Sequence, residues 1–120
     1  MDKQKELKHW YKENPPQGGV YQIKNKVNAK ILIRSSFNFH GGFNRDRMEL
    51  DAGTSRFKSL QGDWKKLGGD QFSFEILDVL KPKEDATFDQ QRKELLLLEQ
   101  MWCENLKPYG EKGYNELPAK

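Results

Sequence analysis

The sequence predicts an α+β domain, a three-stranded antiparallel sheet flanked by helices, with an extra helix at its N-terminal end. Three observations lead there. Residues 20–24 (Val-Tyr-Gln-Ile-Lys) and 30–34 (Lys-Ile-Leu-Ile-Arg) are β-prone and close enough in the chain to form a hairpin. A third segment has Phe72, Phe74 and Ile76 in alternation with Ser73, Glu75 and Leu77, the period of a strand. The remaining apolar residues recur at helical spacing, so helices must cover the sheet.

Taken in order, residues 2–13 read as an amphipathic helix carrying Leu7, Trp10 and Tyr11, ended by Asn14-Pro15-Pro16-Gln17-Gly18-Gly19. The hairpin follows, joined through residues 25–29. Residues 45–50 predict a short helix stopped at Gly53. Phe57, Leu60, Trp64 and Leu67 mark a second helix, capped by Gly68-Gly69. After the third strand and a linker over residues 81–87, a long helix spans 88–106 with Leu95, Leu98, Trp102 and Leu106 on one stripe. The organisation is an N-terminal helix and linker over 1–18, then one domain over 19–117.

With 120 residues the chain has the size of one domain able to bury a core without disulfides or metals. Only 35% of residues are hydrophobic and 32% are charged, but seven Phe, four Tyr and three Trp supply core-forming bulk. The lone Cys103 can form no internal disulfide and lacks a cationic neighbour in sequence, so a buried structural thiol is expected. The polar start MDKQKELKHW is no signal peptide, and the longest apolar run is residues 95–98. A cytoplasmic protein without membrane contact is therefore expected. His9 and His40 lack metal-ligand spacing, which argues against zinc. Net charge is only +3, but Lys24, Lys26, Lys30, Arg34, Arg45, Arg47, Arg56 and Lys58 make residues 24–58 the basic part of the chain. That segment fits either a solvated surface or a polyanion-binding one.

The stretch Gly19-Val20-Tyr21 through Leu32-Ile33-Arg34-Ser35-Ser36 resembles the opening of GIY-YIG nucleases, with Leu-Ile-Arg where the second triplet, Tyr-Ile-Gly, would stand. Leu60-Gln61, Trp64 and residues 72–77 resemble that family's middle helix and third strand. Residues 98–102 and Gly113-Tyr114-Asn115 resemble its closing helix and tail. The resemblance implies a domain that hydrolyses DNA phosphodiesters with one divalent metal, usually magnesium. In such a site a Tyr helps deprotonate water, an Arg neutralises the phosphate, and a Glu holds the metal beside the leaving oxygen.

Carried over position by position, the resemblance retains Tyr21 as the first Tyr, Glu99 as the metal-binding Glu and Asn115 as the supporting Asn. The second Tyr is Leu32 and its Gly is Arg34; the phosphate-binding Arg falls on Gly42, its His on Asp46, and a further His on Ser55. Loss of one preorganised donor costs about 10²–10³ in rate, so the resemblance implies absent or very weak cleavage.

Each candidate also has a structural reading. Tyr21 is equally a core strand aromatic, and Asn115 a turn residue. Glu99, on the apolar stripe, needs either a salt bridge or hydrogen bond, or a bound divalent ion. Arg45 or Arg47 is either a surface residue or a long side chain reaching the cleft from one turn beyond Gly42. Arg34 shares the face of Leu32 and projects to the cleft, where it either meets DNA phosphate or pairs with Glu99 or Asp46 and closes the site. The functional expectations are a DNA-associated or partner-binding module of weak, non-specific DNA affinity, an active magnesium-dependent endonuclease with a rearranged site, or a protein-interaction or inhibitory domain whose N-terminal helix either docks a partner or packs on the domain's own sheet.

Overall fold

The computed structural model describes residues 17–81 and 83–116; the helix expected over 2–13 lies outside them. The hairpin forms as β1 (Gly19–Asn25) and β2 (Ile31–Ser36). Two helices follow, α1 (Phe39–Ala52) and α2 (Lys58–Leu67). Strand β3 (Phe72–Val79) and the long α3 (Phe88–Leu106) complete the domain. The sheet order is β2-β1-β3 with both pairings antiparallel. No described helix is long and apolar enough to cross a membrane.

Helix α1 is longer than the sequence suggested. It begins at Phe39, where the Asn38 side chain accepts from the Gly41 amide at 3.2 Å, and it ends at Gly53 in the left-handed conformation that glycine adopts without strain. Adjacent Gly41 and Gly42 each lower helix propensity by about 1 kcal/mol, which hides this first turn from a propensity argument. Tertiary packing recovers it. Phe39 and Phe43 meet the Tyr21 ring edge-on at centroid distances of 6.2 and 4.9 Å. Helix α3 starts at a capping box, with Thr87 and Gln90 each satisfying the other's backbone amide.

Alternation along β1 sorts the two faces of the sheet. Tyr21 and Ile23 join Leu32, Phe39, Leu50, Leu60, Trp64, Phe72 and Tyr114 in one core beneath α1 and α2. Val20 and Ile33 are buried on the opposite face, where α3 lies against β1 and β2 and the Trp102 indole donates to Asp78 at 3.0 Å. The stripe expected on α3 is only partly covered: Leu95 is buried, Leu98 and Trp102 are half-buried, and Leu106 is exposed.

The outer edge of β2 is closed by the C-terminal tail. The Tyr114 amide donates to the Ile31 carbonyl at 2.9 Å. The Asn115 side chain then copies a strand partner, accepting from the Ile33 amide at 2.8 Å and donating to the Ile33 carbonyl at 2.9 Å. An edge strand otherwise presents unpaired backbone groups, so these bonds protect it. Asn115→Ala should lose about 1–3 kcal/mol of stability by orphaning both groups of Ile33. Urea unfolding checks this as a lowered midpoint at unchanged slope.

Candidate active site

Cross-strand register creates the site. Tyr21 on β1 stands opposite Arg34 on β2, and Ile23 stands opposite Leu32, so all four side chains share the face covered by α1. Helix α1 then lowers Asp46 onto that face, where it is only 3% exposed. The Tyr21 hydroxyl donates to Asp46 Oδ2 at 2.5 Å, and Arg34 Nη1 donates to Asp46 Oδ1. Arg45 Nε is 3.8 Å from the same Oδ1, at the solvent side. Both oxygens of a buried carboxylate are thereby used, and among the described residues no buried side-chain polar atom lacks a partner.

Tyr21 is fully buried. Burial, followed by the hydrogen bond to Asp46 and the Asp46 charge, pushes its phenol well above the ordinary tyrosine value, against the opposing pull of Arg34 and Arg45. The phenol is thus both packed in the core and hydrogen-bonded to an acid.

Gly42 lies one helical turn before Asp46 and is buried against the same centre. A Cβ there would stand 3.1 Å from the Ser36 hydroxyl and 3.3 Å from the Tyr21 hydroxyl. The glycine lets α1 approach β2 closely enough for Asp46 to reach Tyr21 and Arg34. Ser55 is also buried: its amide donates to Gln61 Oε1 at 3.1 Å, and its hydroxyl accepts from the Phe57 amide at 3.2 Å. Leu32, Arg34, Asp46, Ser55 and Phe57 line a single crevice.

Glu99 projects from α3 toward the β2 edge and is half-buried. Burial pushes its carboxyl above the ordinary value; Arg34, a hydrogen bond from the Ser35 side chain and the charge of Arg56 pull it back. Of the two carboxylate partners expected for Arg34, the one in ion-pair contact is Asp46, and Glu99 has no ion pair among the described residues. It also shares an open groove with Asn115 and Cys103. Cys103 is half-buried rather than buried, and burial followed by the Glu99 charge pushes its thiol up, which disfavours the thiolate. Among the described residues no group of three His, Cys, Asp or Glu could hold a metal ion. A magnesium ion at Glu99 would have one protein carboxylate and would depend on water and substrate phosphate oxygens for the rest of its shell.

Arg47, the other arginine considered for the cleft, lies with its guanidinium 4.9 Å from the Phe74 ring centre. Arg56, which sequence reasoning treated only as part of a basic segment, lies 4.7 Å from the Phe57 ring centre, and Arg34 lies 5.1 Å from the same ring. Its position between Ser55 and Phe57 was the available signal.

Two consequences can be measured. Asp46→Ala strands a half-buried guanidinium and a buried phenol, and should cost about 3–5 kcal/mol; Arg34→Met combined with Asp46→Leu should recover part of that loss, because both charges then leave together while the Tyr21 hydroxyl still lacks its acceptor. Chemical denaturation of the single and double variants reads both values. The second concerns Tyr114, whose hydroxyl donates to Asp63 at 2.6 Å and accepts from Asn25 at 3.0 Å. Burial, with the Asp63 hydrogen bond next, pushes Tyr114 up from 10.0 to about 12. A raised folded-state value means that its stabilisation is complete below pH 10 and disappears as pH rises through 12. The urea midpoint should fall across that window, and less steeply in Tyr114→Phe.

No model of a known protein family matches the chain, and no curated protein matches it in sequence. Solved structures do. The catalytic domain of the homing endonuclease I-TevI is 27% identical, with 84% of this chain and 99% of that chain covered and a TM-score of 0.68. A glutamate-to-alanine mutant of the catalytic domain of intron endonuclease I-TevI gives 25% identity, 87% and 97% coverage, and a TM-score of 0.70. With near-complete coverage of both neighbours and a three-stranded antiparallel sheet flanked by helices, the chain has the fold of a GIY-YIG nuclease catalytic domain.

Proposed function

We propose that this chain is a GIY-YIG-fold domain that engages the DNA backbone and hydrolyses it very slowly or not at all. The observation that carries this reading is the closed triad of Tyr21, Asp46 and Arg34. A tyrosine that assists hydrolysis must accept a proton from water, yet this hydroxyl is committed as a donor to a buried carboxylate. An arginine that neutralises a phosphate must bring net positive charge, yet Arg34 is already neutralised by Asp46. Position 42 supplies no side chain at all. Absence of one preorganised charge-stabilising group costs about 2.7–4 kcal/mol of barrier, and this centre has lost the Arg, the His and the second Tyr together.

Glu99 and Asn115 remain, and Glu99 would hold a divalent ion only with substrate oxygens present. The ion would supply Lewis-acid stabilisation of the leaving oxygen. A second reading, hydrolysis through a rearranged centre, draws on the same short contact: a carboxylate accepting from a phenol is also the arrangement of a base that could take the phenolic proton. Binding without cleavage separates the two, and absence of salt-sensitive binding would favour a protein-interaction role.

Purified protein with magnesium or manganese should leave plasmid, single-stranded and branched DNA uncut while binding duplex DNA with an affinity that falls steeply with salt. Turnover abolished by Glu99→Ala would establish the rearranged enzyme instead.

A further inference from the structure

We infer that Arg56 is the guanidinium this chain offers to a nucleic-acid phosphate, in place of the arginine absent at position 42. The inference rests on the DNA-backbone reading above and adds to it the residue and the place. Three arginines surround the site, and their surroundings differ. Arg34 is bound to Asp46, with its side chain 17% exposed. Arg45 lies alongside the same carboxylate at 3.8 Å. Arg56 is exposed and forms neither an ion pair nor a side-chain hydrogen bond among the described residues.

Its placement is nevertheless well defined. The residues on either side, Ser55 and Phe57, both line the crevice that holds Arg34 and Asp46. Hydrogen bonds from the Ser55 amide to Gln61 Oε1 and from the Phe57 amide to the Ser55 hydroxyl pin the backbone there. The Arg56 guanidinium lies on the Phe57 ring at 4.7 Å, and Arg34 is within 5.1 Å of that ring. Contact with an aromatic ring restricts the long side chain without using any of its five N–H donors. Among the described residues Arg56 thus carries a charge that no ion pair neutralises, between two residues that line the crevice. Its charge reaches Glu99, a carboxylate with no ion pair among the described residues. A phosphate lying against Arg56 would approach Glu99 as well, where two like charges repel unless a cation joins them.

The test uses the full chain, a labelled DNA duplex of random sequence and no divalent metal, with affinity measured across a salt series. Arg56→Gln should weaken binding about tenfold at low salt and reduce the slope of log K against log salt by about 0.9, the value for one phosphate contact. Arg56→Lys should keep the slope and lose part of the affinity, because an ammonium lacks the bidentate fork. Arg92→Gln removes an equal charge from the first turns of α3 and should change affinity less than about twofold. Glu99→Gln should tighten binding by relieving repulsion, and that gain should shrink in the Arg56→Gln background, since neighbours couple and distant residues add. Urea midpoints matching the wild type exclude misfolding of the Arg56 variants.

If wild type binds DNA and Arg56→Gln behaves like Arg92→Gln, or if the Arg56 and Glu99 effects simply add, the inference fails and the functional reading stands. If wild type does not bind at low salt, the functional reading fails and the inference with it.

Discussion

The buried carboxylate of Asp46 is the constraint on which the rest of the domain turns. At 3% exposure it has to find partners within the fold, and it takes a phenolic proton from β1 and a guanidinium from β2. Those partners are available only because the β1–β2 register sets Tyr21 opposite Arg34 and because α1 starts at Phe39 rather than a turn later. A slip of one residue in the hairpin would put the two side chains on opposite faces of the sheet. Register, helix start and charge pairing therefore specify one another, and Gly42 is the point where they meet in space.

Around that centre, charge is less available than the composition suggests. Residues 24–58 hold a dense group of Lys and Arg, yet the arginines near the crevice have distinct environments. Arg34 and Arg45 face Asp46, Arg47 lies on Phe74, and Arg56 lies on Phe57. Two carboxylates, Asp46 and Glu99, sit among the first two and the last. Asp46 is ion-paired and, among the described residues, Glu99 is not. The difference follows from position on the sheet. Asp46 and Arg34 occupy the same face, whereas Glu99 comes from α3, which lies against the other face and reaches the site around the β2 edge. Arg34 can contact one of them directly and acts on the other through space.

The β2 edge accordingly has two duties. One is structural, with the tail supplying the Tyr114 amide and the Asn115 side chain as hydrogen-bond partners. The other is positional, since Ile33, the residue Asn115 holds, lies between Leu32 and Arg34 in the chain. An asparagine that looks like a turn residue in sequence thereby steadies the strand from which the site is built.

Much of this was legible before any fold was known. The hairpin, the third strand, the α2 and α3 helices and their order follow from hydrophobic period and from local stops such as Gly68-Gly69, because those signals are carried by residues adjacent in the chain. The shared face of Leu32 and Arg34 follows from strand alternation. The first turn of α1 does not, because Gly41 and Gly42 are poor helix formers whose position is set by packing against Tyr21 and Ser36. Nor could sequence choose between Asp46 and Glu99 as the partner of Arg34, since both are carboxylates at plausible reach and only their placement on opposite faces of the sheet separates them. The tail's grip on Ile33 and the placement of Arg56 on Phe57 are likewise tertiary facts. Sequence by itself determined which elements form and which chemical groups they carry. Tertiary structure decided which charge meets which, because pairing depends on separations of a few ångströms between residues far apart in the chain.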